Sequence, residues 1–231
     1  MLFFIFLIFP VSVFAQVVNT SIDPIITSVT VRDTLSVESS GYVTVIEAEE
    51  LESRPGVNID DRLRDIPGFS LFRRSSSLVA HPTTQGISLR GIGSSAAGRT
   101  LVLYDGFPTN DPFGGWVYWS RINPDTVDVI EVSRGATTSA YGDRAMGGLV
   151  SILSRVPDTR HIWGSIEGGD AGIADVRGGF TDLYGKLGIS SFARGLGSKG
   201  YYIVPKDLRG SVDRRADTDF LVGDVRLDYF G

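Results

Sequence analysis

The side chains that most often carry out covalent chemistry are few in this chain and do not form a recognisable catalytic set. Two carboxylate pairs, Asp105 with Asp111 and Asp128 with Glu131, have a spacing that hydrolysis could use. Neither pair comes with a histidine or tyrosine placed to share the proton transfers. The chain has no cysteine and no Gly-x-Ser-x-Gly motif, so both common nucleophile signatures are missing. We therefore expect no enzymatic activity.

The remaining candidates do not support metal or nucleotide binding. The two histidines, His81 and His161, do not share a metal-ligand spacing with any other ligand. Residues 91–96, GIGSSA, match the dinucleotide pattern G-x-G-x-x-A, which needs a helix directly after it to hold the pyrophosphate. A strand-like run begins at Arg99 instead, so no helix fits. We expect no metal and no cofactor, and the net charge of −5 gives no basic surface for nucleic acid.

The chain divides into segments with different patterns. Residues 1–15, MLFFIFLIFPVSVFA, are apolar and too short for a spanning helix of about 20 residues, which indicates a cleaved signal peptide. A buried first helix is the alternative. Residues 16–40 are polar and patternless, which predicts an extended arm. Residues 41–157 combine β-prone runs, short helical stretches and Gly or Pro stops, which predicts an α+β domain with a mixed sheet.

Residues 158–231 show the two-residue alternation of β-strands. The clearest stretch is DFLVGDVRLDYF at 219–230, where apolar and charged residues fall on opposite faces. The apolar face holds Leu221, Val225, Leu227 and Tyr229, with Gly223, and the charged face holds Asp224, Arg226 and Asp228. Such strands are expected between lipid and a wet lumen, and equally in any half-buried antiparallel sheet.

Four ordered motifs lie in the middle of the chain: QGISLRG, RTLVLYDGFPTND, VDVIEVSRG and SAYGDRAMGG. In this order and spacing they resemble the plug of TonB-dependent outer-membrane receptors. The upstream stretch EELESRPGVNIDDRLRDIPGF is similar to the same family, so the resemblance covers about residues 25–157. Ser151 differs from the asparagine that the family usually has after its Gly-Gly pair.

The resemblance implies an α+β plug domain with a mixed β-sheet, followed by antiparallel β-strands of a truncated outer-membrane β-barrel. The implied function is energy-coupled uptake of a scarce solute such as a ferric siderophore or cobalamin. The implied partners are a TonB-type energy-coupling protein of the inner membrane, outer-membrane lipid and a small chelate or vitamin ligand. The implied location is a Gram-negative type outer membrane, reached through the signal peptide. A soluble periplasmic binding or interaction module that uses the plug fold alone is the alternative.

The resemblance also implies two sites that hold or move the plug. The arm should carry a TonB box, a short segment that adds edge-on to a strand of the coupling protein. The candidate box consists of Ile25, Ile26, Thr27, Ser28, Val29, Thr30 and Val31, and residues 33–37 are a second candidate. Arg90 and Arg134 would lock the plug to barrel-wall glutamates beyond Gly231, because a desolvated arginine must be paired. The alternative is that both arginines cap turns inside the plug.

The resemblance implies that two loops face the substrate cavity, where aromatic side chains on a Pro/Gly frame would offer amphipathic contact area. They are the loop at 73–85 and the stretch NDPFGGWVYW at 110–119. The candidate contacts are Arg73, Arg74, Asn110, Asp111, Phe113, Trp116, Tyr118 and Trp119. The alternative is that Trp116 and Trp119 pack the plug against the barrel wall. The glycines expected at tight turns or close contacts are Gly91, Gly106, Gly135, Gly142, Gly147 and Gly148.

Overall fold

The computed structural model describes residues 43–72, 75–91, 99–135 and 137–231. The predicted signal peptide, the arm with both TonB-box candidates, and Arg73 and Arg74 lie outside these residues. In the described part of the chain, no helix has the length and apolar character needed to cross a membrane.

Short helices and strands alternate before four long strands. The helices are α1 Ala48–Ser53, α2 Ile59–Arg62 and α3 Thr138–Tyr141. The strands are β1 Val43–Glu47, β2 Phe69–Leu71, β3 Ile87–Leu89, β4 Thr100–Tyr104, β5 Phe107–Pro108, β6 Val127–Ser133, β7 Gly148–Ser154, β8 His161–Gly169, β9 Ile173–Tyr184, β10 Leu187–Tyr201 and β11 Ala216–Tyr229. The β-prone runs expected within residues 41–157 thus form strands β1 to β7.

The first sheet has the order β1-β6-β7-β4-β5. β4 and β7 are parallel and the other pairs are antiparallel, so the predicted mixed sheet is confirmed. The central strands β4, β6 and β7 are buried because they are runs of Val, Ile and Leu, which suit strands covered on both faces. Leu51 of α1 and Ile59 of α2 close the core. We call the region from β1 to β7 the mixed-sheet domain.

The second sheet is antiparallel, with the order β11-β10-β9-β8, which confirms the predicted strands after the mixed-sheet domain. Its inner face contacts the mixed-sheet domain, where Leu196 of β10 packs on Leu78 and Val79. Its outer face is apolar and exposed. The exposed side chains there include Ile162, Ile166, Val176, Leu221, Val225, Leu227 and Tyr229. The alternation seen in the sequence therefore separates an outer apolar face from an inner face that carries the charged residues together with apolar contacts such as that of Leu196.

Candidate functional site

The aromatic loop, residues 110–119, is anchored by the side chain of Asn110. Its Oδ1 accepts a hydrogen bond from the Val102 amide at 2.7 Å, and its Nδ2 donates to the carbonyls of Thr100 and Gly115, both at 3.1 Å. Asn110 is 5% exposed. The prediction that Asn110 faces the substrate is wrong, because its side chain is buried and hydrogen-bonds backbone groups of β4 and of the loop itself.

The tip of the aromatic loop is shaped by Asp111. Its Oδ1 accepts hydrogen bonds from the amides of Phe113 and Gly114, each at 2.9 Å. Such side-chain-to-backbone bonds define a tight turn without help from neighbouring strands. Arg144 then holds the turn from outside, donating to the carbonyls of Asp111 at 3.4 Å and Pro112 at 2.8 Å. The loop is therefore a built structure that presents its tip in one conformation.

The four aromatic side chains of this loop have different environments. Phe113 at the tip is 97% exposed, while Trp116 and Tyr118 are half-buried and meet edge to face at 6.5 Å. The Arg121 guanidinium lies 4.6 Å from the centre of the Tyr118 ring, a distance for cation–π attraction. Trp119 is 0% exposed and belongs to the main core. The prediction that Trp119 faces the substrate is therefore wrong, and the alternative that it packs the plug against a barrel wall stays a prediction.

The second predicted loop lies beside the aromatic loop, and one residue joins them. The Gln85 carbonyl accepts from the Val117 amide at 3.1 Å. The Gln85 side chain donates to the carbonyls of Ser77 at 3.2 Å and Ala80 at 2.9 Å. The structure thus brings together two loops that are separated in the chain by β3, β4 and β5.

Buried arginines make polar contacts between the mixed-sheet domain and the four-stranded sheet, beside the apolar contact at Leu196. Arg194 of β10 is 0% exposed and pairs with Asp175 of β9 at 2.8 Å. Its Nη2 also donates to the Val57 carbonyl of the mixed-sheet domain at 3.1 Å. A buried charge is tolerated only when paired and hydrogen-bonded, and Arg194 obtains its ion pair from β9 and a hydrogen-bond acceptor from the mixed-sheet domain, while its Nη1 has no partner among the described residues.

Arg177 of β9 makes a second contact across the same interface. It donates to both carboxylate oxygens of Asp125, at 3.1 and 3.2 Å, and also pairs with Glu167. Burial raises the pKa of Asp125, and the nearby guanidiniums of Arg177 and Arg62 oppose that rise. A third arginine, Arg226 of β11, reaches Asp105 at 3.1 Å.

The mixed-sheet domain is similar to a domain of known proteins. Residues 36–149 match the family model described as TonB-dependent Receptor Plug Domain.

The chain carries a TonB-dependent receptor plug domain.

The mixed-sheet domain is the described part of this plug, and we call it the plug from here on. The chain is 35% identical over 131 residues to the ferric enterobactin receptor PirA of Pseudomonas aeruginosa, a match that covers 51% of the chain and 17% of PirA. It is 31% identical over 144 residues to the iron-regulated outer membrane virulence protein of Vibrio cholerae, covering 53% and 20%. The chain therefore spans no more than about a fifth of the length of these curated relatives.

A solved structure supports the same assignment. The ferric yersiniabactin uptake receptor FyuA from Yersinia pestis superposes with a TM-score of 0.56 at 27% identity. The superposition covers 80% of the chain and 28% of FyuA, so it extends beyond the residues of the plug family model. The fold with a plug and following antiparallel strands is thus found in a receptor of this family.

Both arginines of the predicted lock lie at one turn of the plug. The backbone amide of Arg90 donates to the Gly68 carbonyl at 2.7 Å. Arg134 donates to the Pro67 carbonyl at 3.3 Å and to the Thr44 hydroxyl at 3.1 Å. These bonds tie β1, β3 and the end of β6 to the Pro67-Gly68 turn. Their pairing with barrel glutamates stays a prediction.

The predicted turn glycines do not all have the same steric reason. Gly91, Gly106, Gly142 and Gly148 have positive φ values, a region that other residues rarely adopt. At Gly147 a Cβ would come within 3.0 Å of the Arg99 carbonyl oxygen. Gly135 has an ordinary φ and open space beside it, so the structure shows no steric need for glycine there.

Sequence inspection placed Arg226 on a charged face but did not find the arginine contacts between plug and sheet. The alternation could have indicated the strand arginines, because they lie on the inner face of strands whose outer face is apolar. The plug groups that accept these hydrogen bonds could not be predicted, since a backbone carbonyl or an aspartate in a turn has no special sequence context.

Proposed function

We propose that this chain is part of an energy-coupled outer-membrane receptor that takes up a ferric siderophore or a similar iron chelate. The observation that supports this most directly is the two-faced four-stranded sheet. Its inner face makes polar contacts with the plug, and its outer face exposes large apolar side chains. This is the distribution that a barrel wall needs between lipid and a plugged lumen. The names of the relatives favour an iron chelate over cobalamin.

The proposed organisation follows from this reading. Residues 1–15 are the signal peptide, 16–40 the arm, 41–157 the plug, and 158–231 the first transmembrane strands. The turn between β9 and β10 is tight, whereas residues 202–215 form a long connection between β10 and β11. Because outer-membrane barrels have short periplasmic turns and longer external loops, the end with residues 202–215 is the external end.

The plug closes the lumen through contacts that water can replace. Besides the apolar contact of Leu196 with Leu78 and Val79, the plug is bonded to the strands by ion pairs and hydrogen bonds from arginines, which can be exchanged for hydration when the plug is pulled. An extensive apolar seal would be harder to reopen, because its exposure to water costs about 25 cal/mol per Å². Residues 25–31 would supply the strand on which the coupling protein pulls.

The proposal is tested by uptake in cells that carry the full-length receptor. We expect uptake of radiolabelled iron bound to a siderophore, and its loss when the proton-motive force is collapsed. Deleting residues 25–31 should reduce uptake at least tenfold and leave chelate binding unchanged, because the box does not touch the ligand. Deleting residues 33–37 is the matched control and should have little effect. A receptor found free in the periplasm, or uptake that survives without energy, would contradict the proposal.

The substrate platform is proposed to be the exposed tip of the aromatic loop. Replacing Phe113 by alanine should weaken binding of ferric enterobactin, used as the probe, by about tenfold. The variant lacks the aromatic ring and therefore its apolar contact area with the ligand. Equilibrium binding to the purified full-length receptor measures this. Phe113 contributes little to the fold, being 97% exposed, so expression and thermal stability should not change.

The matched control is Phe107→Ala. Phe107 lies on β5 and is also exposed, but it stands outside the aromatic loop. We expect unchanged affinity for that variant. Equal affinities for the wild type, Phe113→Ala and the control would remove the aromatic tip from the binding surface. Trp116→Ala and Tyr118→Ala should also weaken binding, although their half-buried rings contribute to the loop itself.

A further inference from the structure

We infer that Asp105 and Arg226 form a latch that holds the plug against β11 and opens before the plug can move. The inference rests on the proposed function and names a contact that regulates the same plug. It differs from the predicted lock because the donor stands on the strand and the acceptor on the plug. Arg90 and Arg134, by contrast, are plug residues.

The plug half of the latch is a carboxylate fixed in position. Asp105 and Gly106 have φ values of 48° and 83° and form the two-residue turn between β4 and β5, where the Asp-Gly pair suits two positive φ angles. The Asp105 carboxylate accepts from the Ser154 amide and the Ser154 hydroxyl, each at 2.8 Å. It therefore joins the end of β4 to the end of β7 through contacts within the plug, without a residue of β11.

The strand half of the latch is an oriented guanidinium. Arg226 lies on the inner face of β11, and its Nη1 donates to Asp105 Oδ2 at 3.1 Å and to the Ser154 hydroxyl. Asp228 accepts from its Nε at 2.8 Å and holds the fork in this direction. Both side chains of the pair are partly buried, so solvent screens them less than a surface pair. Hydrogen bonds within the plug thus orient Asp105, and a hydrogen bond within β11 orients Arg226.

The location of the latch gives it control over the plug. β7 is the middle strand of the plug sheet and β4 is its parallel neighbour. A contact at the ends of these two strands restrains the whole sheet, whereas a contact at the edge strand β1 could yield by local fraying. Opening the latch requires water to replace the guanidinium at Asp105 and at the Ser154 hydroxyl.

The test uses Arg226→Gln in the purified full-length receptor. We expect hydrogen exchange at the amides of Asp105 and Ser154 to become about tenfold faster, because charge-assisted hydrogen bonds across the interface are lost. Cells carrying the variant should also admit a hydrophilic dye without ligand several-fold faster than the wild type. Arg226→Lys, which keeps the charge, should recover part of both effects. Asp105→Asn/Arg226→Gln should be no worse than Asp105→Asn alone, as expected for one shared contact.

Arg160→Gln is the matched control. Arg160 pairs with Asp182 at 2.7 Å inside the four-stranded sheet and donates to the Tyr184 hydroxyl. Its loss should leave exchange at Asp105 and Ser154 unchanged. Equal exchange in the wild type and Arg226→Gln, or equal acceleration in Arg160→Gln, would overturn the latch. Should Arg226→Gln fail to assemble, Arg226→Lys and Asp105→Asn report on the same contact. Failure of iron uptake in the wild type would refute the proposed function instead, because exchange does not depend on transport.

Discussion

Arg194→Leu is expected to lower the free energy of unfolding of the plug-and-strand region by about 3–5 kcal/mol, the range for removing one partner of a buried ion pair. The variant leaves Asp175, which is 1% exposed, without the guanidinium that donates to both of its oxygens. It also leaves the Val57 carbonyl without its donor from β10. Arg177, whose Nε lies 3.6 Å from Asp175, compensates only part of that charge. The urea midpoint of the full-length receptor, followed by tryptophan fluorescence, measures the loss.

A double variant separates the cost of leaving the Asp175 charge unpaired from the net contribution of the Arg194–Asp175 pair to stability. Asp175→Asn/Arg194→Leu removes the charge that the single variant strands, so we expect it to recover more than half of the lost stability. Arg209→Leu is the control, since Arg209 stacks on Tyr202 in the exposed connection at 3.9 Å and should change stability by less than about 1 kcal/mol. Equal losses for Arg194→Leu and Arg209→Leu would show that burial of the Arg194 pair contributes nothing.

The elements of the plug could be predicted from local patterns. The runs TLVLY and GLVSILS carry enough β-branched and apolar residues to indicate buried strands, and the Asp105-Gly106 pair indicates a tight turn. The alternation along β11 gave the correct two faces for the same reason, since side chains point alternately to opposite sides of a strand. These features depend on residues that are neighbours in the chain.

The roles of individual side chains could not be predicted in the same way. Trp119 and Phe113 are six positions apart in one aromatic stretch, yet one is in the core and the other is exposed. Asn110 looked like a binding residue, but its partners are the backbone of β4 and of its own loop. Composition says that a loop is aromatic or polar. Only the contacts made after folding decide which of its residues remain accessible.

Contacts across the interface were missed because their partners are far apart in the chain. Arg194 meets the carbonyl of a residue 137 positions earlier, and Arg226 meets a carboxylate 121 positions earlier. Such pairings depend on how one sheet packs on another, which neither hydrophobic periodicity nor turn chemistry specifies. The contacts at Arg177, Arg194 and Arg226 nevertheless lie on the strand face that carries the charged residues of the alternation.

The plug should lose stability as the pH rises from about 4 to about 7, because of one buried carboxyl group. Asp60 of α2 is fully buried, and burial, with the neighbouring Asp61 charge, raises its pKa to about 7. Hydrogen bonds from the Ser77 hydroxyl at 2.6 Å and the Ser77 amide at 2.9 Å, and the Arg64 charge, only partly oppose that rise. The unfolded chain releases this proton near pH 3.8, whereas the folded plug retains it until about pH 7.

Folding therefore costs more in this window, by about 1.4 kcal/mol for each pH unit and on the order of 4 kcal/mol across it. The contribution is absent below about pH 4, where both states hold the proton, and constant above about pH 7, where neither does. Urea midpoints of the full-length receptor between pH 4 and 8 measure the slope. Asp60→Asn should flatten it, because the amide fits the same space and does not ionise.

Asp65→Asn is the control that separates burial from charge number. It removes the same formal charge from an exposed position close to Asp60, so it should leave the pH slope intact. A wild-type slope in Asp60→Asn, or a stability that rises across this window, would contradict the assignment to Asp60. The consequence extends beyond α2, because Asp60 holds Ser77, and the adjacent Leu78 and Val79 pack on Leu196 of β10. The stability lost on ionisation of Asp60 should thus be felt where the second loop of the plug meets the strands. The protection factor of the Ser77 amide, which divides out the intrinsic rise of exchange with pH, should therefore fall between pH 4 and 8 in the wild type but not in Asp60→Asn.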